Sequence, residues 1–286
     1  MNTTISNQYL TAQFNQKGAE LVSLKSNKRE FIWDGDPAFW GKHSPVLFPI
    51  VGTLKNNQFL HNHRFYHLTR HGFARDLDFE IVEKKDDEIV FKFIYTHETL
   101  QFYPFRFVFF IIYKLQNNQL ITTFRVNNLD VVDLPFSVGA HPAFALPSQF
   151  NHYDLIFEVN EILESYQLHN DLISNQTKPI FLDENAQLSL NYEMFKDDAL
   201  IFKRLKSKKI TILENKIPLL SVAFNDFPHL GLWTKMNAPF ICIEPWLGYS
   251  DTENSNGDLF EKEGICILKP KEVKELNYSI EILQNF

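Results

Sequence analysis

The sequence is poor in cysteine and methionine, with two and three among its 286 residues, and it contains no long apolar run. Two cysteines cannot build a disulfide framework, and Cys242 and Cys266 lack the short spacing of paired metal ligands. The longest apolar run extends from Phe107 to Tyr113, far short of the roughly 20 residues that a membrane-spanning helix needs. We therefore expect neither a disulfide-stapled scaffold nor a protein inserted in a membrane.

Long basic blocks are also absent. The formal net charge is -7 and the pI is about 5.8, which argues against nucleic acid and anionic membranes as partners. The short basic run from Lys203 to Lys209 lies between two apolar segments and is interpreted as a solvated turn. Residues 1–8 lack the features of a secretory signal. We therefore expect a cytoplasmic protein, either a monomer or a homodimer.

The dominant period in the sequence is two, as in half-buried strands. Alternate residues from Ile89 to Tyr95 fall on one face of a predicted strand. Between two further strand patterns lies Gln116-Asn117-Asn118, and because asparagine tolerates positive φ, it predicts a hairpin turn. Only residues 37–40 and 258–263 are candidates for short helices. Many short strands without a linker predict an all-β sandwich or barrel in a single domain, residues 1–286.

The segment from Ser137 to Phe144 places a histidine at the end of an apolar strand. Gly139 tolerates backbone angles that other residues avoid, and Pro142 favours an extended conformation at His141. His141 is therefore expected to be fixed in direction, and imidazole exchanges protons near neutral pH. The segment alone is equally compatible with a strand-end histidine that binds a neighbouring carbonyl.

The segment from Pro239 to Gly248 ends a four-residue apolar run with Glu244. A carboxylate on the buried side of a strand is costly unless it is paired or used. Apolar neighbours raise the pKa of such a carboxyl group toward neutrality, as a general base requires. The alternative is a glutamate that is paired structurally with an arginine or a histidine.

His71 and Arg75 lie four residues apart around a glycine turn, and both can donate hydrogen bonds to hydroxyls or to an anion. Three histidines precede them, namely His61, His63 and His67. They suggest a metal site, but the segment from Phe59 to Leu68 predicts a hairpin whose alternate side chains diverge. A tetrahedral ligand set is therefore not expected, and we predict no metal site.

Several motifs of other enzyme classes are missing. The sequence contains no G-x-S-x-G elbow, no P-loop and no glycine-rich dinucleotide fingerprint. These absences argue against an acyl hydrolase, an ATPase and a dinucleotide-dependent enzyme.

Four segments together resemble the aldose 1-epimerase (galactose mutarotase-like) family, and most closely its LacX-like branch. They are Pro45 to Gly52, His71 to Arg75, Gly139 to Phe144 and Ile243 to Trp246. They occur in the order and rough spacing of the family, and the resemblance extends from about Tyr9 to the C-terminus. It implies a large antiparallel β-sandwich of the galactose mutarotase-like (supersandwich) type, which binds a sugar across a concave sheet without a cofactor.

The resemblance also implies roles for individual residues. Glu244 matches the general base of the family and His141 its general acid, while His71 matches a histidine that holds the sugar near its ring oxygen. Arg75 matches an arginine of the branch that includes hexose-6-phosphate mutarotases. Asp198 matches an aspartate that binds ring hydroxyls, although a strand-start aspartate is also an ordinary turn residue.

Three tryptophans are candidates to stack on a sugar ring, although core packing is the commoner role of tryptophan. They are Trp40, Trp233 and Trp246.

The sequence departs from the family at one position. Many relatives carry, after the segment that matches Val51-Gly52, an arginine that contacts sugar hydroxyls or phosphate, whereas this chain has Thr53. Lys55 is a candidate substitute, but lysine cannot reproduce the bidentate fork of a guanidinium. The departure puts phosphosugar recognition and full catalytic strength in question.

These features together predict an aldose 1-epimerase that interconverts the anomers of an aldohexose or a related sugar. Glu244 would take the C1 hydroxyl proton while protonated His141 gives one to the ring oxygen. Thr53 leaves open a non-catalytic carbohydrate-binding or sugar-sensing protein on the same scaffold. A glycoside hydrolase needs two carboxylates beside the scissile bond, and only Glu244 stands in such a context.

Overall fold

The structure is a computed structural model that describes residues 2–26 and 29–284. Strands dominate this part of the chain, and helical segments are single turns. The first strands are β1 (Thr3–Ser6), β2 (Thr11–Asn15), β3 (Glu20–Ser26), β4 (Arg29–Glu30), β5 (Val46–Leu47), β6 (Gln58–His61), β7 (Arg64–His67), β8 (Glu80–Lys84), β9 (Glu88–Ile94), β10 (Phe107–Gln116), β11 (Gln119–Asn128), β12 (Leu134–Phe136) and β13 (Val138–Ala140).

The remaining strands are β14 (Ala143–Ala145), β15 (Tyr153–Phe157), β16 (Leu163–His169), β17 (Leu172–Ile180), β18 (Gln187–Ser189), β19 (Leu200–Phe202), β20 (Lys209–Glu214), β21 (Ile217–Ala223), β22 (His229–Trp233), β23 (Phe240–Leu247), β24 (Cys266–Leu268) and β25 (Val273–Ile282). One α-helical turn, α1, spans Thr99–Phe102. The 3-10 turns are Lys55–Asn57, Ala74–Asp76, Phe150–His152 and Tyr192–Phe195.

Two large antiparallel sheets form the body of the protein. The nine-stranded sheet has the order β18-β15-β20-β21-β25-β11-β10-β9-β8. The eight-stranded sheet has the order β17-β16-β19-β22-β23-β13-β5, with β14 also paired to β23. A four-stranded sheet (β1-β2-β3-β4) and the pairs β12-β24 and β6-β7 contain the other strands described. The prediction of an all-β antiparallel sandwich is confirmed.

The predicted hairpin between the two longest patterns is confirmed by β10 and β11, which pair over their full lengths from Phe107–Asn128 to Gln116–Gln119. Asn117 has a φ of 52° in the two-residue turn, which asparagine tolerates better than most residues. Alternate residues of both strands are buried, and they join residues of the eight-stranded sheet in one hydrophobic core.

Strand β23 is buried on both faces, because it is flanked by β22 on one side and by β13 and β14 on the other. Ile241 and Ile243 belong to the main core. Since side chains alternate along a strand, Glu244 and Trp246 point to the opposite face of the eight-stranded sheet. A polar site can therefore form on that face without interrupting the core between the two large sheets.

The helices predicted at residues 37–40 and 258–263 are wrong. Both segments form single turns, and in the first the amides of Phe39 and Trp40 donate to the carbonyl of Asp36. The hairpin predicted between Phe59 and Leu68 is confirmed by β6 and β7. Across the described ranges, no helix has both the length and the apolar character required to cross a membrane.

The ring of Phe48, directly after β5, allows a test of how much the main core contributes to stability. Its ring stacks on Phe109 with centroids 4.6 Å apart and meets Phe107 at 5.0 Å. Phe48→Ala should lower the free energy of unfolding by about 3–5 kcal/mol, because the cavity would be only partly refilled. Phe65→Ala, at a ring that is 57% exposed, is the matched control and should change it by about 0.5 kcal/mol or less. Urea unfolding measures both, and equal effects would contradict this view of the core.

Candidate active site

His141 lies in the short connection between β13 and β14, where it is 8% exposed. Its ring stacks on Trp40, with centroids 4.8 Å apart and 26° between the planes. The edge of Trp233 meets the same ring at 5.7 Å. The two indoles therefore fix the direction of the imidazole, as the sequence predicted.

Glu244 lies in the middle of β23 and is 1% exposed. Its Oε2 atom lies 3.3 Å from Nε2 of His141. The geometry is not that of an aligned hydrogen bond, because Oε2 is buried and has no hydrogen-bond partner among the described residues. The structure thus brings together the two side chains on which the functional prediction depends.

Burial shifts the proton equilibria of this pair in opposite directions. Burial raises the pKa of Glu244 well above 4.5, while the charge of Arg70 opposes this rise and that of Asp198 adds to it. Burial also lowers the pKa of His141 to about 3. Both shifts favour neutral side chains, and Oε2 of Glu244 lies 3.3 Å from Nε2 of His141.

Glycines on the two strands beside β23 make room for Trp246. A Cβ at Gly139 would lie 2.7 Å from the indole of Trp246, and one at Gly231 would lie 2.6 Å from it. The unusual backbone angle predicted for Gly139 is wrong, because its φ does not lie in the left-handed region. Gly139 belongs to β13 and pairs with Leu47 and Trp246, so the glycine is required by the close approach of the indole.

His71 is presented by a tight turn in which its own φ is 68° and that of Gly72 is 70°. The buried amide of Gly52 donates to Nδ1 of His71 at 3.1 Å. Burial, followed by the charge of Arg70, lowers the pKa of His71 well below 6.5. The ring is therefore neutral near neutral pH. Its centroid lies 5.9 Å from that of His141, so the two histidines share one wall.

These side chains line a cavity of about 720 Å³ on the outer face of the eight-stranded sheet. Its volume is in the range of small-molecule sites. Eight of its lining residues are candidates identified from the sequence: Trp40, His71, Arg75, His141, Asp198, Trp233, Glu244 and Trp246. The tertiary structure thus assembles them from segments that are distant in sequence.

Arg75 and Asp198 are held by local contacts at the cavity wall. Nη2 of Arg75 donates to the carbonyl of Arg70 at 2.7 Å. Asp198 has a φ of 107°, and its Oδ1 accepts the amide of Ala199 at 2.7 Å. Both side chains therefore present polar atoms from restrained positions.

Lys55 is the one predicted site residue that the structure does not bring to the cavity. Its Nζ donates to the carbonyls of Glu253 at 2.7 Å and Ser255 at 3.3 Å. Its amide donates to Asp251. These contacts stabilise the loop that follows β23 and direct the ammonium group of Lys55 away from the cavity. The prediction that Lys55 substitutes for an arginine at position 53 is therefore wrong.

Arg70 was missed as a site residue. It lines the cavity, and its Nη1 lies 3.2 Å from Oδ1 of Asp171 and 3.7 Å from Oδ2 of Asp198. The one signal in the sequence was its position directly before His71. Nothing in the sequence indicated which face of the turn its guanidinium would occupy.

One group of three side chains in the described part of the chain has the proximity of metal ligands. The ligand atoms of His141, Cys242 and Glu244 lie within 4.8 Å of one another. Two of these residues are the acid-base pair, so an ion bound there would occupy the groups that are available for proton transfer. His61, by contrast, packs against Phe105 and Phe260 and does not join His71.

Comparisons with known proteins identify relatives over nearly the full length of the chain. The family model described as aldose 1-epimerase matches residues 1–280. The plasmid-encoded protein LacX of Lactococcus lactis subsp. lactis is 33% identical, over 99% of this chain and all of LacX. A galactose mutarotase related enzyme from Lactobacillus acidophilus shares 33% identity with a TM-score of 0.94, covering 99% of this chain and 98% of its own.

A second solved structure is similarly close. A galactose mutarotase-like protein from Lactobacillus casei is 30% identical with a TM-score of 0.93, and the match covers 99% of this chain and all of that protein. The resemblance inferred from four short segments thus extends over the whole chain.

Gly231→Ala tests the space beside Trp246. The added methyl group would overlap the indole, so we expect a loss of about 1–3 kcal/mol in the free energy of unfolding. Gly41→Ala is the matched control, because a Cβ there meets nothing closer than 3.9 Å. Urea unfolding with both variants measures the difference. Equal stability of the two variants would show that the indole is not confined.

The Glu244→Gln variant tests whether the carboxyl group of Glu244 is protonated in the folded protein. The folded pKa of Glu244 is raised, so above about pH 4.5 the folded protein keeps a proton that the unfolded chain releases. Wild-type stability should therefore fall, relative to that of the variant, as the pH rises from 5 to 8. Urea unfolding at each pH measures this difference. An unchanged difference across this pH range would show that Glu244 is ionised in the folded protein without a proton on His141.

Proposed function

The chain belongs to the aldose 1-epimerase family, and from this premise we propose that it interconverts the α and β anomers of an aldohexose or a related sugar. The observation that carries the proposal is the buried contact between His141 and Glu244, 3.3 Å apart on the wall of a cavity. Membership of the family supports a sugar epimerase, and this contact supplies the groups that the reaction needs.

Anomers interconvert when the hemiacetal ring opens and closes again on the other face of C1. Opening requires a base at the C1 hydroxyl and an acid at the ring oxygen. A pair that holds one proton meets both requirements, because one member can accept while the other donates. Reversal of the two roles after rotation about C1–C2 closes the other anomer.

We assign the base to Glu244 and the acid to His141. In the free protein, burial favours the proton on the carboxyl group, so the active form requires its transfer to Nε2 of His141 over 3.3 Å. Glu244 then takes the hydroxyl proton and His141 protonates the ring oxygen. The proposed steps use no cofactor and return the pair to its starting proton count.

The other lining residues suit a sugar as the ligand. Trp40 and Trp233 offer indole surface to the apolar face of a pyranose ring. Asp198 accepts hydrogen bonds from hydroxyls, whereas His71 and Arg75 donate them. These donors and the acceptor, together with the indole surface, suit the hydroxyls and the apolar face of an aldohexose.

A non-catalytic sugar-binding protein on the same scaffold is the second candidate, and Thr53 is the residue that favours it. Its amide donates to Ser250 Oγ at 2.9 Å, and it supplies no guanidinium. Polarimetry separates the two functions, because a binding protein would bind the sugar without accelerating mutarotation.

Glu244→Gln should lower the rate of catalysed mutarotation of glucose or galactose by about 10²- to 10⁴-fold, because glutamine cannot accept the hydroxyl proton. Polarimetry from the pure α anomer measures this rate. Glu275→Gln, on β25 of the other large sheet, is the control and should retain the wild-type rate. A Glu244→Gln variant with the wild-type rate would refute the assignment of the base.

A further inference from the structure

Arg70 and His71 face each other across the rim of the cavity. Nε of Arg70 lies 3.3 Å from Nε2 of His71. At the opposite edge of the imidazole, the amide of Gly52 lies 3.1 Å from Nδ1. A backbone amide and a guanidinium are both donors only, so each of the two ring nitrogens faces a donor.

A neutral imidazole has one acceptor nitrogen, so His71 can satisfy only one of these donors. The amide of Gly52 is buried, and leaving it without an acceptor costs roughly 1–3 kcal/mol. The Arg70 side chain is 41% exposed and has further N–H groups that reach water. The acceptor is therefore Nδ1, and Nε2 carries the proton.

With this tautomer the N–H of Arg70 Nε points at Nε2 of His71, which itself carries a proton. The two N–H groups cannot bond to each other. An oxygen atom at the rim of the cavity that accepts from both, after a small turn of the guanidinium, would remove the conflict. The carboxylates that contact Arg70 lie at its Nη1 end, where Asp171 and Asp198 are found.

Those two carboxylates also determine whether a neutral or an anionic ligand oxygen is favoured beside Arg70. Asp171 is presented by the turn between β16 and β17, and Asp198 by the start of β19. They lie 3.2 Å and 3.7 Å from Nη1 of Arg70, so they offset the charge of the guanidinium. A neutral oxygen is therefore favoured over a phosphate or carboxylate oxygen, which the two aspartates would repel.

We propose that Arg70 and His71 form a two-donor subsite for one neutral sugar oxygen, either a hydroxyl or the ring oxygen. Arg70 thereby supplies, from the turn before His71, the guanidinium that position 53 lacks. The inference rests on the proposed function only in that the ligand is a sugar. It adds a binding residue that sets which sugars are accepted.

The test compares Arg70→Gln with Arg64→Gln, the same change at an exposed arginine of β7 whose guanidinium lies over Tyr66. Loss of a charged donor to a sugar oxygen should raise KM about 10- to 100-fold. The contact exists in both the closed and the open sugar, so kcat should change less than about 3-fold. Arg64→Gln should leave both constants unchanged, and thermal unfolding confirms that both variants are folded.

The Arg70→Lys variant and the salt dependence of binding distinguish the effect of the guanidinium geometry from that of its charge. Lysine keeps the charge but not the rigid Nε donor, so it should restore less than half of the lost affinity on a logarithmic scale. The effect of Arg70→Gln should be nearly independent of salt for galactose. Full rescue by lysine, or a larger and salt-dependent loss for galactose 6-phosphate, would show that Arg70 recognises an anion and would overturn the proposal.

Binding measurements keep this inference separate from catalysis. Galactose titrated into Glu244→Gln, with and without Arg70→Gln, should show the same 10- to 100-fold loss of affinity, even if the wild type proves to be a non-catalytic binder. Monodeoxy galactoses identify the oxygen, because Arg70→Gln should lose its effect for the one analogue that lacks it. An equal loss for every deoxy analogue and for 5-thiogalactose, in which sulfur replaces the ring oxygen, would refute the subsite.

Nitrogen-15 spectra of the histidine rings test the tautomer directly. In the free protein, Nδ1 of His71 should give the signal of an unprotonated nitrogen and Nε2 that of a protonated one. The reverse pattern would mean that Arg70 already has its acceptor, and the two-donor subsite would not exist.

Discussion

The structure depends on the burial of one acid-base pair inside a β-sheet protein. Placing Glu244 and His141 in a largely dry wall would be very costly if each carried a charge without compensation. Burial removes most of that difficulty by shifting both side chains toward their neutral forms. The exclusion of water from the two groups thus sets their proton equilibria.

The rest of the fold positions this pair without leaving the main core exposed. β23 has strands on both sides, so its backbone is held rigidly, and one of its faces belongs to the core of the sandwich. The other face carries Glu244 and Trp246, and glycines on β13 and β22 allow the indole to lie flat between them. Trp40, from a loop, and Trp233, at the end of β22, then restrain His141. A strand thus carries Glu244, whereas a short loop carries His141.

Arg70, and not Lys55, brings a guanidinium to this part of the cavity rim. Thr53 cannot supply a guanidinium, and Lys55 is directed to carbonyls of the loop after β23. Arg70 reaches the cavity from a different turn, and two aspartates from other segments orient it. The backbone amide of Gly52, next to Thr53, orients His71 through Nδ1. The rim is thus built from a long side chain on one turn and a backbone amide on another segment.

The sequence by itself determined the strands, their antiparallel hairpins and the burial of Glu244, because alternation, turn residues and an apolar run are local signals. Four short segments also sufficed to indicate the family, and they contain His71, Arg75, His141 and Glu244, which line the cavity. Only the tertiary structure decided that Glu244 meets His141, about a hundred positions away, that Gly139 serves the packing of Trp246, and that Arg70 takes a place at the cavity where Lys55 does not. These outcomes depend on which strands become neighbours and on which side of a turn a long side chain finds its partners. Contacts of that kind arise between segments distant in sequence, and no local pattern encodes them.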